Sequence, residues 1–381
     1  MRAVDVVVIG GGVIGASVAC ALARGGASVV LIERDDLGAH ASRAAAGMLA
    51  PITESLARGP IFTLGLESLS LLEHELDELR ELSGVDPELT RSGILRVAHA
   101  AEAPALRAHA AALAELGCAW VDGAELRKRD ARLAPELAGA LHSPREGHVD
   151  AYLLTRAYAG AAVRRGATVR RDTEALGLLR VDDRIVGVRT SAGEIPAHDV
   201  ILCTGAWARH ASDWLGVPIP VDPVKGQMLA LDGGEPHGGP ILWGDGAYIV
   251  PRRNGQLRIG ATVEHVGFDA RPTAAGVATL LAGAFAIAPA LRTATFVETW
   301  AGLRPGTRDH LPLVGRVPGL EGAWLAVGHH RNGILLAALS GRALAREILD
   351  GARWPGLDAF DPARASLQNP SRAERAPGRT T

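Results

Sequence analysis

Cysteine and aromatic residues are both scarce in this chain of 381 residues. Its three cysteines, Cys20, Cys118 and Cys203, stand far apart among apolar residues, and no two of them form a CxxC pair. That spacing argues against a zinc site and against a redox dithiol. We therefore expect three small core residues, no metal site and a cytoplasmic location.

A large charge excess and a long apolar run are also missing. Lys and Arg number 40 against 42 Asp and Glu, which leaves a formal net charge of -2. This balance predicts no nucleic acid and no anionic membrane as a partner. The apolar run near the N-terminus is broken by glycines and followed by Arg24, unlike a signal peptide or a membrane span.

The chain opens with the pattern of a βαβ unit. A branched apolar run, "VDVVVIG", predicts a buried strand, "ASVACALARGG" a helix, and "ASVVLIER" a second strand. Gly10, Gly12 and Gly15 form GxGxxG between the first strand and the helix, where they allow a tight turn, a close approach to a pyrophosphate and close helix packing. Glu33 ends the second strand, where a carboxylate can bind ribose hydroxyls. The unit predicts dinucleotide binding.

Two features favour a flavin over a nicotinamide. The fingerprint lies within the first fifteen residues, and a later strand ends in "CTGAW", which resembles the second nucleotide-contacting turn of two-domain flavoproteins. A second GxGxxG followed by a strand and an acid is not present in the sequence, so a separate NADPH site is not expected.

The remaining patterns predict a flavoprotein of mixed α/β and α+β class, with a Rossmann-like FAD-binding domain and an antiparallel substrate domain inserted into it. Helices are expected at 62–82 and 273–286, a hairpin turn at 191–193, and antiparallel sheet within 221–262. We predict an FAD-binding domain from residues 1–85, 145–217 and 304–361, a substrate-binding domain from 86–144 and 218–303, and a disordered tail at 362–381.

Four motifs then make a family resemblance visible. "AAAGMLAP", "YIVPR", "AGLRPGT" and "GHHRNGILLA" resemble the glycine oxidases of thiamine biosynthesis, which belong to the D-amino acid oxidase and sarcosine oxidase superfamily. The resemblance runs from Asp5 to about Phe360. Covalent sarcosine oxidases carry a flavin-linking cysteine near the late glycine motif, and this chain has none there, so the resemblance implies noncovalent FAD.

The resemblance also assigns cofactor contacts, by motif match, along the whole chain. They are Gly10, Gly12, Val13, Ile14, Gly15, Glu33, Arg34, Ser42, Ala46, Gly47, Met48, Ala175, Gly205, Trp207, Arg304, Gly328, His329, Arg331, Asn332, Gly333, Ile334 and Leu335.

In such enzymes the flavin takes a hydride from the carbon that bears the amine, and the protein holds the substrate carboxylate. An arginine suits that task because its fork makes two parallel charge-assisted hydrogen bonds. The resemblance gives Arg304 and Tyr248 this role, with Arg331 assisting, and a rigid turn is expected at Arg304. A salt bridge from Arg304 to Asp309 or Glu298 is the alternative interpretation. For His329 and His330, packing is favoured over a metal site because no third ligand is suitably spaced.

The chain departs from the family pattern in its pocket wall. Gly246, Ala247 and Val263 stand where bulkier or more polar groups are expected, while Met48 is retained. The extra room predicts that sarcosine, D-alanine or D-proline competes with glycine as the substrate.

We expect an FAD-dependent oxidase of small amino acids that gives an imine and then an oxo acid, with dioxygen reduced to hydrogen peroxide. The resemblance further implies a homotetramer. The alternatives are a D-amino acid or secondary-amine dehydrogenase with another electron acceptor, a nicotinamide-dependent dehydrogenase, and a non-catalytic flavin-binding module.

Overall fold

The computed structural model describes residues 3–55, 58–233 and 239–364. The expected tail from residue 365 onward lies outside the described residues. Arg364 lies within the range expected to be disordered, yet its guanidinium donates to the carboxylate of Asp309 at 2.8 Å. None of the helices in the described ranges is long and apolar enough to cross a bilayer.

The strands are β1 (Val4–Ile9), β2 (Val29–Ile32), β3 (Met48–Leu49), β4 (Ile94–Ala98), β5 (Ala119–Asp122), β6 (Gly139–Ser143), β7 (Gly147–His148), β8 (Thr168–Arg170), β9 (Ala175–Val181), β10 (Arg184–Thr190), β11 (Gly193–Leu202), β12 (Asp222–Asp232), β13 (Ile241–Trp243), β14 (Tyr248–Pro251), β15 (Gln256–Gly260), β16 (Thr295–Gly306), β17 (Leu313–Arg316) and β18 (Ala323–Val327). The helices are α1 (Val13–Arg24), α2 (Ala41–Ala44), α3 (Pro60–Ser83), α4 (Ala103–Ala112), α5 (Gly123–Arg129), α6 (Ala151–Arg164), α7 (Ser212–Leu215), α8 (Ala274–Ile287) and α9 (Ala337–Asp350).

The first sheet has the order β17-β18-β11-β1-β2-β8, with the β9–β10 hairpin attached to β11. Its central pairs, β11–β1 and β1–β2, are parallel. Successive residues of β1 point to opposite faces, so Val6 and Val8 pack into the helical layer while Val7 and Ile9 pack against the hairpin side. Burial on both faces explains the unbroken apolar run of this strand.

The last helix, α9, returns to the first βαβ unit. Ser17 on α1 donates to the carbonyl oxygen of Ala337 at 2.7 Å. A Cβ on Gly341 would lie 2.4 Å from the Ser17 hydroxyl oxygen, so only glycine permits this approach of the two helices. The expected return of the C-terminal helix to the nucleotide-binding end is therefore observed.

The second sheet has the order β16-β12-β15-β14-β13-β4-β6-β5 and is antiparallel except where β13 pairs with β4. One face of β12 packs Leu229 and Leu231 against α8, which lies across that side of the sheet. The intervening Met228 points to the opposite face, toward Ala46 of the other half of the molecule. This alternation places the second sheet between α8 and the region that holds the predicted site.

The expected mixed α/β fold is confirmed, with one correction. The proline and glycine beside Arg304 suggested a turn, but Arg304 lies inside β16 and pairs with Val224 of β12. The pairing of a neighbouring strand overrides the local turn preference. The domain boundary expected at residue 304 consequently falls inside a strand, and the division into domains remains a prediction.

Asp150 links the two halves of the molecule through a buried ion pair. One carboxylate oxygen accepts from the N–H of Leu153 at 2.9 Å and caps α6. The other contacts Arg252 and lies 3.5 Å from Arg258, both near or on β15 of the second sheet. Because Arg252 is only 5% exposed, its charge depends on this carboxylate.

We predict that Asp150→Ala lowers the free energy of unfolding by about 3–5 kcal/mol, because it leaves Arg252 buried without its closest carboxylate. Denaturant unfolding measures the change. Asp77→Ala is the matched control, since Asp77 pairs with Arg80 while 95% exposed and should change stability by less than about 1 kcal/mol. Equal losses in the two variants would contradict the assignment.

Candidate active site

A cavity of about 1470 Å³ runs between the two sheets, from the glycine-rich loop to Arg304. Most of the side chains and backbone positions expected to contact FAD line it. These are Gly10, Gly12, Val13, Ile14, Glu33, Arg34, Ser42, Ala46, Gly47, Met48, Ala175, Gly205, Trp207, Arg304, His329, Arg331, Asn332, Gly333 and Ile334. The expected substrate contacts Gly246, Tyr248 and Val263 line it too.

Three expected cofactor contacts do not line the cavity. A Cβ on Gly15 would lie 1.9 Å from the carbonyl oxygen of Gly10, so Gly15 packs the helix against the loop. Gly328 packs against Thr307, with φ of +77°. Leu335 is 2% exposed, and its carbonyl oxygen accepts from the Ser68 hydroxyl at 2.6 Å. These three residues are tightly packed behind the cavity wall, so they support the wall without reaching the cavity surface.

The glycine-rich loop forms one end of the cavity. Gly10 has φ of +107°, and a Cβ there would lie 2.5 Å from the carbonyl oxygen of Cys203. The loop passes directly into α1, whose first N–H, from Val13, donates to the Ser42 hydroxyl at 2.9 Å. A helix N-terminus at a glycine loop is a good place for a pyrophosphate because its N–H groups and dipole favour negative charge.

Glu33 follows β2 and reaches back to this loop. Its carboxylate accepts from the N–H of Gly11 at 2.7 Å and from that of Asp35 at 3.0 Å. Beside it, the guanidinium carbon of Arg34 lies 4.2 Å from the ring centre of Trp207. This end of the cavity therefore offers hydrogen-bond acceptors and an aromatic ring, the groups that suit a ribose and an adenine.

Arg304 lies near the other end of the cavity. Its Nη1 donates to the carbonyl oxygen of Thr262 at 3.0 Å. Burial lowers its pKa, and the adjacent Tyr248 hydroxyl opposes that change. Among the described residues no carboxylate lies within 4 Å of its guanidinium, neither that of Glu298 nor that of Asp309, which binds Arg364 instead. The salt-bridge interpretation of Arg304 is therefore not supported.

Tyr248 and Arg331 complete the same group. The Tyr248 hydroxyl lies 3.3 Å from the sulfur of Met228, and burial raises its pKa, with the positive charges of Arg304 and Arg331 opposing the rise. Arg331 lies on the short 3-10 segment His330–Asn332 and is 3.9 Å from a Glu54 carboxylate oxygen. The structure thus brings together the three residues expected to bind a carboxylate.

Sequence motifs missed two groups at this end. Burial raises the pKa of Glu54, which lines the cavity. His330 stacks on His310 with ring centres 5.4 Å apart, and both have positive φ, 48° and 59°. Backbone strain of this kind is common at functional sites. His330 belongs to the late "GHHRNGILLA" motif, whereas no motif marked Glu54 or His310.

The two adjacent histidines of the late motif have different surroundings. His329 is 3% exposed, with Nε2 3.0 Å from the Ser340 hydroxyl, and burial lowers its pKa to about 3. His330 lines the cavity, and burial together with the charges of Arg304 and Arg331 lowers its pKa to about 3. Both imidazoles are therefore neutral at physiological pH.

The roomier wall expected from Gly246 and Val263 lies beside Tyr248. Gly246 has φ of +80°, and a Cβ there would meet no atom within 4 Å. Val263 is 48% exposed and follows Thr262, whose carbonyl binds Arg304. Met48 lies on β3 opposite His148. We call Arg304 and Tyr248 together the clamp. The cavity wall nearest the clamp is thus made of small or exposed groups.

Comparisons with known proteins agree with this geometry. The sequence profile of the family described as FAD dependent oxidoreductase matches residues 5–347. A glycine oxidase from Geobacillus kaustophilus is 37% identical over 346 residues, covering 90% of this chain and 92% of that relative. A crystal structure of glycine oxidase from the same organism superposes with a TM-score of 0.91 at 34% identity, covering 96% of this chain and 99% of the other.

A longer relative matches over nearly all of this chain. The bifunctional protein ThiO/ThiG from Nostoc sp. is 36% identical over 373 residues, which cover 96% of this chain and 55% of the relative. The chain therefore spans about half the length of that bifunctional protein.

We predict that His330 destabilises the folded protein in acid. Its pKa falls from 6.5 to about 3 on folding, so the unfolded chain binds a proton that the folded chain does not. Its contribution to stability is complete above pH 6.5 and is lost as the pH falls toward 3. In His330→Gln, the slope of unfolding free energy against pH should be shallower by about 1.4 kcal/mol per pH unit between pH 4 and 6.

Denaturant unfolding at several pH values measures that slope. His198→Gln is the control, because His198 is exposed and should leave the slope unchanged. An unchanged slope in His330→Gln would show that its imidazole titrates normally.

Proposed function

The chain belongs to the family of FAD-dependent oxidoreductases, and we propose that it oxidises glycine and related small amino acids with noncovalent FAD and dioxygen. The observation that carries this proposal is the pairing of Arg304 with Tyr248 on the cavity wall, without a carboxylate within 4 Å of the guanidinium among the described residues. A partly buried guanidinium that no carboxylate contacts is stabilised when an anion pairs with it, and an amino acid carboxylate supplies such an anion.

The residues of the cavity fit FAD. The N–H groups at the start of α1 and the carboxylate of Glu33 would hold the ADP half. The backbone from Gly47 and the turn before Asn332 would hold the ring system. Only glycine fits at residue 47, because a Cβ there would lie 1.9 Å from the carbonyl oxygen of Val149. When bound, FAD supplies the acceptor for the hydride and the route of electrons to dioxygen.

The task of this chain is to bind and orient the substrate. Arg304 would bind the carboxylate through two parallel hydrogen bonds, and the Tyr248 hydroxyl would donate a third. Arg331 adds positive charge, while burial of the group strengthens each interaction by excluding water. The product is an imine, which water converts to an oxo acid and ammonia. The two electrons taken from the substrate reduce dioxygen to hydrogen peroxide.

Small groups around the clamp favour small substrates without selecting one. Gly246 and Val263 leave room for an N-methyl group or a second carbon, so sarcosine, D-alanine and D-proline belong to the proposed substrate range. One methylene in an apolar pocket changes selectivity by only about 1–3 kcal/mol.

The family resemblance suggests a place for the product. We propose that the imine enters the formation of the thiazole of thiamine, as the resemblance to the glycine oxidases of thiamine biosynthesis implies. The cytoplasmic location and the homotetramer implied by the resemblance belong to this proposal, and light scattering of the purified protein measures the assembly.

We predict that the purified protein shows the visible absorption of an oxidised flavin and forms hydrogen peroxide when glycine is added under air. Heat denaturation followed by centrifugation should release the flavin into the supernatant, since it is not covalently bound. Sarcosine, D-alanine and D-proline are compared at equal concentration.

Absence of flavin in a folded protein would contradict the proposal. Bleaching by glycine without peroxide, restored by an artificial acceptor, would instead identify the dehydrogenase alternative. Reduction of a nicotinamide by the same substrates would identify the nicotinamide-dependent one.

We predict that Arg304→Leu raises the Michaelis constant for glycine at least about 100-fold, because two charge-assisted hydrogen bonds of about 1.5–3 kcal/mol each are lost. FAD content should stay near that of the unmodified protein. Arg308→Leu is the control, since Arg308 is exposed four residues farther along the chain and should leave the constant unchanged. Equal Michaelis constants in the two variants would refute the role of Arg304 in binding the carboxylate.

A further inference from the structure

The Arg304 guanidinium lies flat on a glycine of the neighbouring strand. An ideal Cβ built on Gly226 of β12 would lie 2.3 Å from each terminal nitrogen of Arg304 and 2.4 Å from the carbon between them. Near-equal distances to three atoms of one planar group mean that its face covers the Gly226 backbone. A methyl group at residue 226 cannot occupy that space without moving the guanidinium.

The strand register explains how Arg304 reaches that position. Arg304 pairs with Val224, and Gly226 pairs with Gly302. Positions 224 and 226 share a face of β12, so the arginine side chain leans diagonally across the sheet over position 226. Because two glycines face each other there, the sheet offers a bare backbone surface to the guanidinium.

A second glycine does the same for Tyr248. Gly260 on β15 is in register with both Met228 and Tyr248. A Cβ on Gly260 would lie 2.2 Å from the Met228 sulfur and 2.6 Å from the Tyr248 hydroxyl oxygen. We call Gly226 and Gly260 together the glycine floor.

Residues 225 and 227 of β12 hold the segment that binds one edge of the guanidinium. The N–H of Gln227 donates to the Thr262 hydroxyl at 2.9 Å, and the buried Lys225 lies 2.8 Å from a Glu264 carboxylate oxygen. These bonds hold the 262–264 segment, whose Thr262 carbonyl accepts from Arg304. The Thr262 carbonyl thus occupies one edge of the guanidinium and Gly226 lies under one face, while the group still lines the cavity.

We propose that Gly226 is a positioning residue that sets the plane of the Arg304 guanidinium, and that Gly260 sets the position of the Tyr248 hydroxyl in the same way. The glycine floor thereby determines how tightly a carboxylate binds and how it is oriented. This inference rests on the proposed function, because it assumes that the ligand of Arg304 is a carboxylate.

The test compares Gly226→Ala with Gly59→Ala in purified holoprotein. Gly59 precedes α3, has φ of -117°, and a Cβ there would meet no atom within 4 Å, so the control adds the same methyl group in open space. Calorimetric titration with glycolate, a carboxylate without an amine, measures binding independently of turnover. FAD content and thermal midpoint are recorded for each variant.

We expect Gly226→Ala to weaken glycolate binding about 10- to 100-fold and to raise the Michaelis constant for glycine more than it lowers kcat. FAD content should match that of the control. Unchanged glycolate binding in Gly226→Ala would overturn the positioning role. Failure of the unmodified protein to bind any small carboxylate would refute the proposed function instead, so the two failures are distinguishable.

A double-mutant cycle separates positioning from a general packing defect. In an Arg304→Ala background the planar group is absent, so Gly226→Ala should cause no further loss of glycolate affinity. If Gly226→Ala alone fails to fold, recovery of folding in the double variant would support the clash with Arg304. Failure of both variants to fold would overturn the proposal, because the glycine would then be required by the sheet itself.

Discussion

The constraint on which the site depends is a partly buried positive charge that has no carboxylate within 4 Å among the described residues. Arg304 points across β12 toward Thr262 and Tyr248, and the carboxylate that could have paired with it, Asp309, binds Arg364. Such a group is tolerated because its neighbours are polar and its charge can be shared with an incoming anion. The location of this arginine on the cavity wall makes its charge accessible to an incoming anion.

The rest of the architecture makes that location possible. Parallel strands place the glycine loop and Glu33 at one end of the cavity, and the antiparallel sheet places Arg304 and Tyr248 near the other. Asp150 connects the halves, because it caps α6 and pairs with Arg252 of the antiparallel side. We expect a substitution in the Asp150–Arg252 ion pair to alter the distance between the nucleotide-binding end and the clamp, although the ion pair contacts neither end directly.

Bare backbone is the recurring means by which this chain makes room. Gly10 meets Cys203, Gly47 meets Val149, and Gly226 meets Arg304, each at a distance that excludes a methyl group. In the first two cases the missing side chain lets two stretches of backbone pack closely together. In the third case the backbone supports a charged plane. The cavity wall near Val263 differs from these three contacts, because it is open and limits the size of the ligand only weakly.

Features that depend on neighbours along the chain could be predicted from the sequence alone. The GxGxxG loop, its flanking strands and helix, and Glu33 form one local unit, so their spacing predicts their geometry. The association of Arg304 with Tyr248 came from the family resemblance, and the structure brings them together. Three other facts follow from the folded chain and not from local sequence: Arg304 lies in a strand, Glu54 shares its cavity, and Gly226 lies under its guanidinium. These facts depend on which strand pairs with which, and residues 226 and 304 become neighbours only through the β12–β16 register.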